Sequence, residues 1–348
     1  MKQLMKLDKK EAATVSNAIR FWEDSHKLSP ELAEELRKSY EVRSSNVDTI
    51  AWYAFISAVS CGLLAFGALV IDEKWIELLR KRWEFSEATV GIGFTLVAGV
   101  FVYLARRRKV KYPNSQISNE SYTITIALSV AVAIAYWTRS LGLFDGHYAQ
   151  PILIATIIYG IIGAFLPSQL LWVAMLLSLV GWWVGQTYQW SDGGFRFAGM
   201  NYPLSITLLG LVIWASSWMI EKVKPLSSFE RVTYVFGLVV FLFAAWMLSI
   251  FGNYDDLSRW SAIKQGTLWY WSAGFTVVLS ALTFYAFRSK NDTLRDICLV
   301  FFLANIYTRY FEYFWDRTNK GIFFAILALS FWFVGKKAEQ WRSQEKIA

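Results

Sequence analysis

Residues 231–250 read RVTYVFGLVVFLFAAWMLSI, and after Arg231 the stretch runs nineteen positions without a charge. A helix rises 1.5 Å per residue, so about 20 apolar residues match a hydrocarbon core about 30 Å thick. The stretch therefore reads as a transmembrane helix. The same signature recurs on both sides of it. Spans are expected near 49–71, 88–105, 121–138, 151–166, 168–187, 203–220, 231–250, 268–287, 294–310 and 319–335. The expected fold class is all-α, a polytopic transmembrane helical bundle of about ten spans. The fourth and fifth spans are parted only by Leu166-Pro167-Ser168. They could form two helices, one long kinked element or a re-entrant pair.

Composition agrees. The chain has 348 residues, 55% hydrophobic and 18% charged, where soluble domains carry roughly 25% charged residues. Its 18 Trp, 17 Tyr and 26 Phe suit a protein with two membrane–water interfaces to anchor. Cys61 and Cys298 lie in apolar runs, as small core residues do. With only His26 and His147, no His-rich metal or haem site is expected, and no cofactor.

Residues 1–47 read differently, as a soluble cytoplasmic helical hairpin preceding a bundle over 48–338 and a basic tail over 339–348. Asp8 and Glu11 have capping-box spacing. Val15, Ile19 and Trp22 form an apolar stripe. Ser29-Pro30 opens a second helix with stripe residues Leu32, Leu36 and Tyr40.

Charge sets the expected topology. With the N-terminus inside and spans alternating, 24 of the 35 Lys and Arg fall on the inner side, as the positive-inside rule requires. Both termini are then cytoplasmic. Arg106, Arg107, Arg108 and Lys109 form the strongest inner cluster. Anionic lipid headgroups are the partner such a cluster implies, along with the bilayer itself. The net charge of +8 does not point to nucleic acid, because no basic–aromatic binding motif accompanies it. Residues 72–87, on the outer side, hold Trp75, Leu78, Leu79 and Trp83 at helical spacing and read as an interfacial amphipathic helix.

No P-loop, nucleophile elbow or H-E-x-x-H motif occurs. The spans are almost free of ionisable residues in their middle turns, which argues against a proton pump. Gly181 and Gly185 have the spacing of close helix packing. Chemistry concentrates in the outer loops, where acids and arginines stand among Tyr148, Tyr188, Trp190, Phe195, Phe197, Tyr202, Tyr254, Trp260, Trp269, Trp271, Tyr310, Tyr313 and Trp315. Such a mixture binds polar headgroups, sugars or phosphates, or it forms an aromatic belt with internally paired charges. Arg309, Glu312 and Asp316 share one helix face if the ninth span runs on. Two carboxylates a turn apart can share a proton or hold a cation, and Arg309 can neutralise them instead. Asp255 and Asp256, followed by Arg259, form a second set in a turn-like loop.

Two end segments carry a resemblance. Leu28-Ser29-Pro30-Glu31 follows a Trp-containing charged helix. Near the other end stands Arg309-Tyr310-Phe311-Glu312-Tyr313-Phe314-Trp315-Asp316, then a last span and a basic run from Lys336. This layout resembles the bacterial family of predicted multi-span membrane proteins of unknown function that carry a short charged N-terminal helical segment. The resemblance implies an inner-membrane address. It brings no reaction, ligand or site residue. A carrier or binder of a small or lipid-like ligand is the leading expectation. The alternatives are an envelope enzyme acting on a lipid-linked or saccharide substrate at the outer face, and a scaffold or sensor that docks a partner through the N-terminal segment.

Overall fold

A computed structural model of the chain describes residues 5–7, 9–42, 86–111, 116–142, 148–254, 256–263, 265–315 and 318–344. The span expected at 49–71 lies outside these residues. So do residues 72–85 of the expected interfacial helix, the Asp8 cap, Cys61, Asp255 and Asp316.

In the N-terminal segment, strand β1 (Met5–Leu7) pairs in parallel with β2 (Tyr40–Val42), enclosing helices α1 (Lys9–Asp24) and α2 (Pro30–Arg37). The strand pair was not expected from the sequence. Ser29 caps α2 by accepting a hydrogen bond from Leu32 N, with Pro30 in the first turn. Ile19 and Ala33 are buried between the helices, and Arg37 bridges to Glu23 at 2.7 Å. Val15, Trp22 and Leu32, three members of the expected stripes, stay exposed.

The remainder is helical: α3 (Glu87–Lys111), α4 (Gln116–Ser140), α5 (Ala149–Phe165), α6 (Gln169–Trp190), α7 (Tyr202–Lys222), α8 (Glu230–Phe251), the short α9 (Leu257–Ser261), α10 (Trp269–Ser289), α11 (Asp292–Phe314) and α12 (Lys320–Gln344). A two-residue antiparallel pair, β3 (Arg196–Phe197) with β4 (Met200–Asn201), joins α6 to α7. Among the described residues six helices are long and apolar enough to cross a membrane: α3, α4, α6, α7, α8 and α10. Helix α5 is apolar but has 17 residues. In α11 the uncharged run from Ile297 to Thr308 is only twelve residues. Large apolar side chains stand on the outside of the bundle: Leu96, Val212, Val277 and Trp332 are 64–67% exposed. Lipid chains, not water, suit such a surface. The architecture is all-α in its bulk and consistent with an integral membrane protein.

Helices pair with their chain neighbours: α3 with α4, α5 with α6, α7 with α8, and α10 with α11. Around Leu166-Pro167-Ser168 the chain reverses as an antiparallel turn, with Gly163 against Leu171, Gly181 against Ile152 and Gly185 against Ala149. Pro167 cannot continue a helix, and Ser168 caps the next one by accepting from Leu171 N. The tightest crossing lies between α7 and α8. A Cβ on Gly210 would fall 2.5 Å from the Phe241 nitrogen, and one on Gly237 would fall 2.4 Å from the Trp214 nitrogen. At these two glycines the backbones come closest, while Gly185 packs at ordinary contact distance, 3.6 Å from Ala149 Cα, as its spacing led one to expect.

Tryptophans also bind helices together. Their Nε1 atoms donate across helix pairs to hydroxyls: Trp137 to Thr95 (3.1 Å), Trp172 to Thr233 (2.9 Å), Trp183 to Ser205 (2.7 Å) and Trp246 to Thr308 (2.9 Å). A buried indole N–H needs an acceptor, and a hydroxyl on the adjacent helix supplies one where water is absent.

Cross-links sort the turns into two ends. At one end Lys109 donates to the carbonyls of Leu166 (2.8 Å) and Pro167 (2.6 Å), and Asn291 reaches the Tyr234 hydroxyl. At the other, Gln150 meets Gln186, Asn201 meets Gly252 and Arg309 meets Ser249. The basic cluster 106–109 lies at the first end, and the aromatic and acidic loops lie at the second.

Candidate functional site

The second end is organised by the C-terminus of α8. The last carbonyls of a helix lack intrahelical partners. Here other elements supply them. Gly252, with φ +56°, turns the chain and returns its N–H to Leu248 O at 2.8 Å. Arg309 Nη2 donates to Ser249 O at 3.3 Å, and Trp260 Nε1 donates to Ile250 O at 3.1 Å. Asn201 Nδ2 donates to Gly252 O at 2.7 Å and to Tyr254 O at 2.9 Å.

Asn201 is buried and fully used. Its Oδ1 caps α7 by accepting from Leu204 N, and its own N–H donates to Asn253 Oδ1 at 2.9 Å. Asn253 Nδ2 reaches back to Gly199 O at 2.9 Å, and Arg196 Nη2 donates to Asn253 O at 3.2 Å. The β3–β4 turn and the 252–254 turn are thus clasped together.

Beside this clasp lies an open cleft of about 790 Å³. Its lining is mostly aromatic, with Phe195 and Tyr202 from the turn before α7 and its first residue, and Phe251, Tyr254 and Trp260 from the end of α8 through α9, beside Gly194, Asn201 and Pro203. Phe195 meets Tyr202 edge-on, and Phe251 packs at 5.1 Å against Trp260. Two charges line the cleft, Asp256 and Arg259. Asp256 Oδ1 accepts from the N–H (2.7 Å) and hydroxyl (2.8 Å) of Ser258. These hydrogen bonds, the hydroxyl's first, hold the Asp256 carboxyl below the usual carboxylate range. Arg259 approaches Asp256 Oδ2 only to 3.9 Å, and its side chain is 73% exposed.

The six candidate residues therefore fall into separate groups. Asp256 and Arg259 line the cleft. Arg309 and Glu312 do not. They form a 2.5 Å ion pair, mostly buried, and Arg309 also donates to Ser249 Oγ at 3.2 Å. Arg309 thus neutralises Glu312 and docks α11 on α8, the structural alternative raised by the sequence. Arg309 Nε and Glu312 Oε1 are buried without a hydrogen-bond partner among the described residues. Asp255 and Asp316, the other members of the expected acidic pairs, lie outside those residues. Asn201, Gly252 and Asn253 were not singled out from the sequence. Asn201-Tyr202-Pro203 did carry a signal, a capping residue ahead of a proline near a helix start.

At the opposite end the basic cluster is partly engaged. Lys109 closes the α5–α6 turn as described, and the Arg106 guanidinium lies 4.4 Å from the Phe165 ring centre. Arg107 is exposed. A cavity of about 20 Å³ beside Lys109, Glu120 and Thr123 has room for about one water molecule. No group of three or more His, Cys, Asp and Glu among the described residues could hold a metal ion.

Compared with known proteins, the chain matches no family model, no curated protein and no solved structure.

Proposed function

We propose that the chain is a bacterial inner-membrane protein of ten spans that binds a small or lipid-like ligand in the cleft between the β3–β4 turn and α9. The observation that carries this reading is the cleft itself: room for a ligand, a mostly aromatic lining, and two charges within that lining. Concave, mostly apolar sites with a few polar groups are the usual form of ligand pockets. The clasp through Asn201 gives such a site fixed walls before any ligand arrives, which lowers the ordering cost of binding.

In the same reading, the N-terminal segment and the basic end lie in the cytoplasm, where Arg106 and Arg107 meet anionic lipid. Lys109 is spent on the α5–α6 turn. The cleft then opens at the outer face. A carrier needs access from both ends, and the described cleft provides it at one. The proposed activity is accordingly binding at the outer end.

The test uses full-length protein in detergent, with Trp260→Leu and Tyr254→Ala variants. An alkyl glycoside, a phospholipid and a polyprenyl phosphate serve as probes, and thermal stabilisation is the readout. At least one probe is expected to stabilise the parent protein and to lose most of that effect in both variants. Equal responses in parent and variants for every probe contradict the reading.

A further inference from the structure

We infer that the cleft is built for a zwitterionic phosphate–ammonium group, the chemistry of phosphoethanolamine, with Arg259 facing the phosphate and Asp256 and the rings facing the ammonium. The inference rests on the cleft being a ligand site, as proposed above.

Among the described lining residues the cleft carries one carboxylate and one guanidinium. A purely anionic ligand meets Asp256, and a purely cationic one meets Arg259. A neutral ligand leaves both charges without service. A ligand with both signs a short linker apart offers a partner to each.

The two residues are also loosely paired. The spacing is i, i+3, but contact is through Arg259 Nε alone, at 3.9 Å, with the side chains 73% and 48% exposed. Exposed pairs of this kind contribute little to stability. Their charges are cheap to redirect to a ligand. Ser258 uses Asp256 Oδ1, while the Arg259 side chain stands 3.9 Å from Oδ2, beyond hydrogen-bond distance. The guanidinium's terminal nitrogens suit the oxygens of a phosphate, which accept in pairs.

The rings account for the other half. Tyr and Trp faces attract ammonium groups through their quadrupoles, and Tyr202, Tyr254 and Trp260 all line the cleft. Trp260 is fixed by its bond to Ile250 O, so its ring is held in place before binding. The cleft lies at the ends of α7 and α8, both long enough to span. That is headgroup depth in a bilayer.

The test measures headgroup selectivity of the full chain. Purified protein in detergent is given an equimolar mixture of phosphatidylethanolamine, phosphatidylglycerol and a cationic diacyl lipid, and retained lipid is counted by native mass spectrometry. The parent is expected to favour the zwitterionic lipid about tenfold. Asp256→Asn, which keeps the α9 cap, and Arg259→Gln should each erase that preference, while Arg259→Lys keeps part of it. Free phosphoethanolamine should displace the lipid if the headgroup alone is read. If it does not, while the preference persists, the lipid-borne form is the ligand. Equal retention of all three lipids by the parent, all lost in Trp260→Leu, overturns the headgroup inference and leaves the cleft a ligand site. Retention that Trp260→Leu does not alter overturns both.

Discussion

Asn201 carries no charge, yet its amide ties both walls of the cleft together. Asn201→Ala removes donors to Gly252 O and Tyr254 O and the cap on Leu204 N. The expected cost is about 2–3 kcal/mol, since buried carbonyls lose their partners. Thermal melts of detergent-solubilised protein would show it. Asn201→Asp keeps the cap acceptor but sets a buried carboxylate oxygen against the Gly252 and Tyr254 carbonyls, so it should cost at least as much as Ala. Thr233→Val, which deprives Trp172 of its acceptor, should cost about 0.6–1 kcal/mol on the same scale. Asp256 gives a pH expectation. Its carboxyl titrates below the ordinary range because Ser258 hydrogen-bonds the charged form. Ligand retention that depends on Asp256 should hold from neutrality down through the ordinary carboxylate range and fall only at pH below it. Titration of retained lipid, parent against Asp256→Asn, checks this. At this scale the sequence was half legible. Asp256 and Arg259 were visible as charges among aromatics. The Arg309–Glu312 pair was legible at i, i+3, but Gly252 and Ser249, the long-range partners of Asn201 and Arg309, lie 50 to 60 positions away along the chain, and no local pattern announces them.

Helices were the most legible objects, because an apolar run of the right length has few other uses. The turn at Pro167 was ambiguous from sequence, since a proline can kink a helix or end one. The Ser168 cap and the Lys109 bonds to Leu166 and Pro167 hold it as a turn. Helix contacts were less legible. Gly181 and Gly185 do pack against Ile152 and Ala149, but the closest backbone approach is at Gly210 and Gly237, single glycines on adjacent helices. A crossing needs one small residue from each partner, and a pattern within one helix cannot show that. Gly237→Ala should therefore force α7 and α8 apart and cost about 1–3 kcal/mol. Gly274→Ala, where a Cβ meets nothing within 4 Å, should be neutral or slightly stabilising. Melting temperatures of the two variants, measured side by side, separate a packing effect from a general glycine effect. The aromatic load also has two uses. The sequence reading assigned it to interfaces, whereas four tryptophans bridge helices through hydroxyls.

The molecule as a whole has two ends of opposite character. One gathers the Arg106–Lys109 cluster and the turn that Lys109 holds, and the other gathers the clasp, the cleft and the Arg309–Glu312 pair. Charge asymmetry was readable from the sequence because lysine and arginine counts need no tertiary contacts. The cleft was not, because its walls come from turns about 60 residues apart. If the bundle spans a bilayer, positions at its two ends must face different compartments. The most direct measurement places a single cysteine at Arg107 or at Ser261, in a chain with Cys61 and Cys298 replaced by serine and alanine. Intact cells are then treated with a membrane-impermeant maleimide. Ser261→Cys is expected to label at once, and Arg107→Cys only after the membrane is permeabilised. Labelling of both positions from the same side would contradict this.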